Sequence, residues 1–303
     1  MIIEFLLLLL GFILLTKGSD LFVDGASEFA RYLHIPQLII GLTIVAMGTS
    51  APEAAVSIRS ALENSADLSI GNIVGSNILN ILIILGICSL IAFIPIEKST
   101  TKKDIPFMIF STALLMVFGY TDASLSWFEG FIFLIWFIVY LIYLYTHSKK
   151  EEEQKPSKSI FKILIFIILG LAFILLGSQF VVESATEIAL YLGVDEKFIG
   201  LTIVSLGTSL PELFTSFMAT RKGNAGIAIG NIVGSNIFNI LFILGFTSLL
   251  TPIPFQSSFL IDTFICILTG IVLWIYAYKN NGLNKKSGIL MLVCYGLYFL
   301  YLL

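Results

Sequence analysis

Histidine and cysteine are scarce in this chain, with two and three copies among 303 residues. Cys88, Cys266 and Cys294 sit in separate apolar stretches, without the paired spacing of a disulfide framework or a zinc site. His34 and His147 fall in the breaks between such stretches. Charge is scarce too: Asp, Glu, Lys and Arg make up 12% of the residues, against about a quarter in a soluble domain. This excludes a water-soluble globular fold, and no nucleic-acid partner is expected. The N-terminus lacks both a basic leader and a small-residue cleavage site, so the first apolar stretch is expected to stay as a helix.

Apolar residues are abundant, at 57% of the chain, and mean hydropathy is +0.99. Stretches suited to about 30 Å of hydrocarbon run roughly over 2–30, 37–58, 69–94, 105–119, 126–146, 160–190, 198–219, 227–250, 259–278 and 287–302. They are continuous rather than alternating, which favours helices over a membrane β-barrel. The expected fold is an all-α membrane protein with ten transmembrane helices.

One passage is written twice. Gly18–Gly86 aligns without a gap to Gly177–Gly245 at an offset of 159, with about half the positions identical. The matches cluster as GLTIV-x-x-GTS-x-PE at Gly41–Glu53 and Gly200–Glu212, and as IGNIVGSNI-x-NIL at Ile70–Leu82 and Ile229–Leu241. Lys and Arg concentrate in loops after odd-numbered spans: Arg31; Lys98, Lys102 and Lys103; Lys149, Lys150, Lys155 and Lys158; Arg221 and Lys222; Lys279, Lys285 and Lys286. Only Arg59 and Lys197 follow even-numbered spans. The positive-inside rule then puts the odd loops in the cytoplasm and both termini outside. A five-span unit is odd, so its second copy enters the membrane from the opposite side. The expected organisation is two inverted five-helix repeats, 1–147 and 160–303, joined by a charged cytoplasmic linker at 148–159. Inverted repeats are a mark of secondary transporters.

The repeated motifs carry the chemistry. Pro52 removes a helix N–H and displaces the carbonyl of Gly48, so span 2 should break there; Pro211 does the same in span 7 beside Gly207. The breaks should free carbonyls of the Ala46–Thr49 stretch, tolerable at that depth only against protein or a polar cavity. Glu53 and Glu212 lie one turn beyond. If the breaks meet, these carboxylates, the hydroxyls of Thr49, Ser50, Thr208 and Ser209, Ser205 beside them, and the amides of Asn77, Asn80, Asn236 and Asn239 line one pocket. Ser76 and Asn80 share a helix face, as do Ser235 and Asn239. Gly71 with Gly75, and Gly230 with Gly234, should bring spans 3 and 8 close to their neighbours. An all-oxygen set suits hard cations, and adaptable neutral ligands favour Ca²⁺ over Mg²⁺. Asp20, Asp24, Glu28, Glu183 and Glu187 either line an ion path or cap long helices, and Lys17 is expected to snorkel or to pair with Asp20.

With GTS-x-PE and GN-x-x-GSN in both copies, the chain resembles the cation/Ca²⁺ antiporter superfamily, over effectively its whole length, and a compact prokaryotic Na⁺/Ca²⁺ exchanger in particular. The resemblance implies that Glu53, Glu212 and the carbonyls of Thr49 and Thr208 hold Ca²⁺. It implies flanking Na⁺ sites from Ala46, Ser50 and Ser76 and from Ser205, Ser209 and Ser235, and helices 1 and 6 sliding over a rigid core. The expected function is Na⁺/Ca²⁺ antiport across the cell membrane, with no enzymatic activity and no cofactor beyond the transported ions. Na⁺, Ca²⁺ and the bilayer are the expected partners, with no obligate protein. The alternative is H⁺-coupled Ca²⁺ antiport, in which Glu53 and Glu212 carry protons. Some relatives, including K⁺-dependent exchangers, have Asp at the position of Asn239; the neutral amide here argues for Na⁺ and against K⁺ dependence. A hydrolase using Ser50 or Ser209 lacks a base within the motifs, and a passive channel has no use for paired closed sites.

Overall fold

The computed structural model describes residues 2–63, 65–147, 156–194 and 205–302, without the side chains of Asp67, Asp122 and Ser205. It is almost entirely helical. α1 (Ile2–Leu33) is followed by α2 (Gln37–Ile40), a wide π turn at Gly41–Val45, α3 (Ala46–Thr49) and α4 (Ala51–Leu62). α5 (Asp67–Leu79) continues through a π turn at Asn80–Ile84 into α6 (Leu85–Ile91). A π turn at Thr100–Asp104 opens α7 (Ile105–Asp122), and α8 is Trp127–His147. The second half repeats the series: α9 (Ile160–Tyr191), α10 (Ser205–Thr208), α11 (Leu210–Arg221) and α12 (Ala225–Phe238). A π turn at Asn239–Leu244, α13 (Gly245–Leu250), α14 (Ser257–Asn280) and α15 (Lys285–Leu302) complete it.

Among the described residues eight helices are long and apolar enough to cross a membrane, and the bent pair Gln37–Thr49 with Ala51–Leu62 makes a ninth. Their limits fall close to those expected from the apolar runs. The fourth starts earlier, at Thr100 rather than 105, because the charged segment Thr100–Asp104 is itself helical. The first part of the expected span 198–219 lies outside the described residues, as does most of the linker 148–159.

The sequence repeat extends further in space than in letters. Tyr140 donates to Asp104 at 3.3 Å and Tyr298 to Asp262 at 3.1 Å, two pairs related by an offset of 158 in both residues. Four two-residue strands, not foreseen in an all-α reading, tie the halves together. β1 (Ile94–Pro95) pairs antiparallel with β4 (Gly282–Leu283), and β2 (Ser124–Leu125) with β3 (Ile253–Pro254). Each ladder takes one strand from each half.

Burial separates a two-helix core from the helices around it, α1 and α9 among them. In the most apolar window of Ala225–Leu250, 94% of residues are buried, and 78% in Leu68–Ile91, but only 22% in α1 and in α9. The two long helices cross antiparallel on a glycine seam. A Cβ on Gly18 would lie 2.8 Å from the Gly170 carbonyl, and one on Gly177 would lie 2.8 Å from the Gly11 carbonyl. Backbone-to-backbone approach of this kind needs glycine.

Candidate functional site

Both expected helix breaks are present. Ser50 (φ −82, ψ 11) and Ser209 (φ −90, ψ 5) depart from helical geometry, each two residues before the proline that opens the next helix. At the first break the axis bends by 46°. The breaks converge and hold each other's carboxylates. Ser50 Oγ donates to Glu212 Oε1 at 2.8 Å, and Ser209 Oγ donates to Glu53 Oε1 at 3.3 Å. Ser235 Oγ adds a contact to Glu212 Oε1 at 3.5 Å. Both carboxylates are fully buried. No Lys, Arg or His pairs with either among the described residues.

Of the expected site residues, Ala46, Thr49, Ser50, Glu53, Ser76, Asn80, Thr208, Ser209, Glu212, Ser235 and Asn239 are all buried here. The Ser205 side chain lies outside the described residues. The Ala46 carbonyl is not bare, as the broken-helix reading had it. It accepts from Ser50 N at 3.0 Å, Thr49 Oγ1 at 3.3 Å and Ser235 Oγ at 3.4 Å. The Gly207 carbonyl takes the Ser178 hydroxyl at 2.8 Å. At Gly207 a hydroxyl thus replaces the helical donor that Pro211 removes, whereas Ala46 keeps its helical donor and gains two hydroxyls.

The four amides divide into two roles. Asn77 and Asn236 exchange side-chain donations to each other's backbone carbonyls, both at 3.1 Å. Their own Oδ1 atoms accept from Asn239 and Asn80, both at 3.0 Å. Asn77 and Asn236 therefore clamp the core together and do not face the carboxylates. Asn80 and Asn239 use only their N–H groups in this clamp, and their Oδ1 atoms are buried without a hydrogen-bond partner. Glu53 Oε2 and Glu212 Oε2 are in the same condition. Both asparagines begin a π turn, a local widening common at functional sites.

Two residues of the site escaped the sequence reading. Asn231 donates to the Glu212 carbonyl at 3.4 Å and to Ser216 Oγ at 3.0 Å, and accepts from Thr49 Oγ1 at 2.9 Å. Asn72 donates to the Glu53 carbonyl at 3.4 Å and to Ser57 Oγ at 3.3 Å. Both stand in the repeated IGNIVGSN motif, so their duplication was the available signal. Gly230 and Gly234 approach the first broken helix as expected, with Cβ positions 2.7 Å from the Leu38 carbonyl and 2.6 Å from that of Leu42. Gly71 meets only the Phe259 ring, at 3.4 Å, and no such approach is made at Gly75 among the described residues.

The acidic residues of α1 near the site, Asp20, Asp24 and Glu28, are paired. Asp20 binds Lys222 rather than Lys17. Glu28 is buried and held by Arg31 at 2.8 Å and by the backbone N and hydroxyl of Ser157 at 2.7 and 2.9 Å.

No group of three His, Cys, Asp or Glu residues is placed to share a metal among the described residues. The site offers two carboxylates and many neutral oxygens. That composition suits a hard, exchangeable cation better than a resident transition metal.

Comparison with known proteins agrees with this chemistry. A family model described as sodium/calcium exchanger protein matches residues 3–146 and 162–303. The chain is 36% identical to the putative antiporter CaxA of Alkalimonas amylolytica, over 97% of each chain. It is 32% identical to the sodium/calcium exchanger MaX1 of Methanosarcina acetivorans, over 97% of this chain and 96% of that one. A solved structure of the sodium-calcium exchanger NCX_Mj superposes with a TM-score of 0.89 at 33% identity, covering 100% of this chain and 99% of the other. The chain is a multi-pass membrane protein and belongs to the sodium/calcium exchanger family.

Proposed function

We propose that this chain is a secondary antiporter that exchanges Na⁺ for Ca²⁺ at the Glu53–Glu212 site by alternating access. Family membership makes it a transporter and not an enzyme. The observation that carries the reading is the set of four buried, unpartnered oxygens: Glu53 Oε2, Glu212 Oε2, Asn80 Oδ1 and Asn239 Oδ1. Burying an ionised carboxylate without a partner costs several kcal/mol. Two of them, with amide oxygens nearby and no basic side chain, call for cations. The pair matches the charge of one Ca²⁺. Na⁺ ions taking the same oxygens displace it by sharing the carboxylates, which couples the two fluxes.

In this reading Glu53, Glu212, Thr49 and Thr208 hold Ca²⁺. Ala46, Ser50 and Ser76 on one side, and Ser205, Ser209 and Ser235 on the other, contribute to Na⁺, with Asn80 and Asn239 completing the oxygen cage. The two halves, 1–147 and 160–303, are inverted five-helix repeats, ten spans in all, joined by a cytoplasmic linker. Both termini lie outside the cell membrane. The reciprocal bonds Ser50–Glu212 and Ser209–Glu53 support this arrangement, since they follow a two-fold exchange of the halves.

The test is ⁴⁵Ca²⁺ uptake into proteoliposomes loaded with Na⁺, K⁺ or choline across matched pH gradients. Uptake is expected only with internal Na⁺ and without response to the pH gradient. Uptake driven by the pH gradient without Na⁺ would transfer the protein to H⁺ coupling.

A further inference from the structure

The two halves are alike at the ion site but differ at its approaches. Lys222, the residue that follows α11, reaches across to α1. Its Nζ lies 2.6 Å from Asp20 Oδ1, 2.6 Å from Asp24 Oδ1 and 3.0 Å from the Asp20 carbonyl. Three oxygens of one helix thus hold an ammonium carried by the other half. Below this point α1 packs along α11, with the rings of Phe12 and Phe214 6.2 Å apart.

At the offset of 159 the counterparts of Asp20, Asp24 and Lys222 are Gln179, Glu183 and Glu63. The lysine has become an acid, so the same bridge between α9 and α4 is electrostatically impossible. The polar groups there are satisfied within their own helices. Gln179 donates to Glu183 at 2.7 Å, and Arg59 to Glu63 at 2.8 Å. Among the described residues α9 has no packing on α4 comparable to that of α1 on α11.

We infer that Lys222 is a positioning residue that latches α1 to α11 and so holds one of the two approaches to the ion site shut, with no equivalent latch on the other among the described residues. This rests on the alternating-access reading above. If each half in turn uncovers the site, the face carrying Lys222 opens only when Nζ leaves Asp20 and Asp24, whereas among the described residues no ion pair between helices holds the opposite face. By the lysine and arginine distribution the latched face is cytoplasmic. The latch is partly solvated, with the Lys222 side chain 23% exposed and the aspartates 44% and 41%. It therefore biases an equilibrium and does not lock it.

The test is the labelling rate of a cysteine placed at Met218, which lines the same recess as Asp20 and Lys222, in a chain with Cys88, Cys266 and Cys294 replaced by alanine. A membrane-impermeant maleimide is supplied from the Lys222 face. Lys222→Met keeps the aliphatic stem, removes the charge and should speed labelling about fivefold, the scale of a partly exposed ion pair. Lys222→Arg should stay near the parent rate. Asp20→Asn with Asp24→Asn should reproduce the Lys222→Met effect without touching the lysine, which guards against misfolding of any one variant. Equal rates in Lys222→Met, the double asparagine variant and the parent would overturn the latch. Labelling does not depend on which ions are carried. Failure of Na⁺-driven Ca²⁺ uptake in the parent would instead overturn the exchange reading and leave this result intact.

Discussion

Asn77 and Asn236 each donate a side-chain N–H to the other's backbone carbonyl, both at 3.1 Å. Identical residues of the two repeats bond to each other at the centre of the molecule, and the two core helices are fixed there. Removing the Asn77 amide also strands the buried Asn239 donor, and removing that of Asn236 strands the Asn80 donor, each at a cost of about 2 kcal/mol. Asn77→Ala and Asn236→Ala should each lower the melting temperature of the purified protein. The double variant should lose less than the sum, because the bonds form one network. Strict additivity in thermal unfolding would show two independent bonds instead of a clamp.

The glycine seam between α1 and α9 sets a second expectation. Gly18→Val places its Cβ 2.8 Å from the Gly170 carbonyl, a backbone atom that a rotamer change cannot move. Separating the helices should cost more than about 2 kcal/mol and abolish ⁴⁵Ca²⁺ flux. Gly296→Ala has open space around its Cβ and should leave both stability and flux close to the parent. Normal flux in Gly18→Val would mean that the seam is not held closely in the working protein.

Much of this architecture is legible in the letters, and the reasons are physical. Apolar length against bilayer thickness gives helix limits, and a proline after glycine gives a break whatever its surroundings. The gap-free repeat pairs Glu53 with Glu212 and Asn80 with Asn239. What pattern does not give is the direction in which an amide points. Asn77 and Asn80 sit three residues apart in one motif, yet one spends all its polar atoms on the opposite half and the other keeps an oxygen unpaired. Asn72 and Asn231 are as strictly repeated as any of these, but a second role for asparagine, holding the carboxylate-bearing helices, is apparent only from distances. The bridge from Lys222 to Asp20 joins residues 202 positions apart, where the halves differ, so a search for repetition passes over it.

Asn239→Asp tests why the position is neutral. Asn239 donates to Asn77 Oδ1 at 3.0 Å. An ionised aspartate has no proton to give and would set two acceptors face to face unless a cation or proton intervenes. The variant should bind Ca²⁺ more tightly as pH rises, since deprotonation adds a third carboxylate to the cage, while the parent gains no such group. Titrating ⁴⁵Ca²⁺ binding against pH in both proteins decides this. Parallel curves with unchanged ion selectivity would remove Asn239 from the site.

Asn231→Ala should act on the site through position. The change frees the Thr49 hydroxyl, the Glu212 carbonyl and Ser216 together. Loss of roughly tenfold in apparent Ca²⁺ affinity, about 1.4 kcal/mol, is expected. A drop in thermal stability with unchanged affinity would assign Asn231 to packing alone.

The central claim is that Na⁺ and Ca²⁺ compete for the oxygens around Glu53 and Glu212. Equilibrium ⁴⁵Ca²⁺ binding to the purified protein, measured over a range of Na⁺ concentrations in the parent, Glu53→Gln and Glu212→Gln, tests it most directly. Ca²⁺ should bind the parent, be displaced by Na⁺ more steeply than one ion for one, and fail to bind either variant. Binding that survives in both variants, or that Na⁺ leaves untouched, would contradict the account.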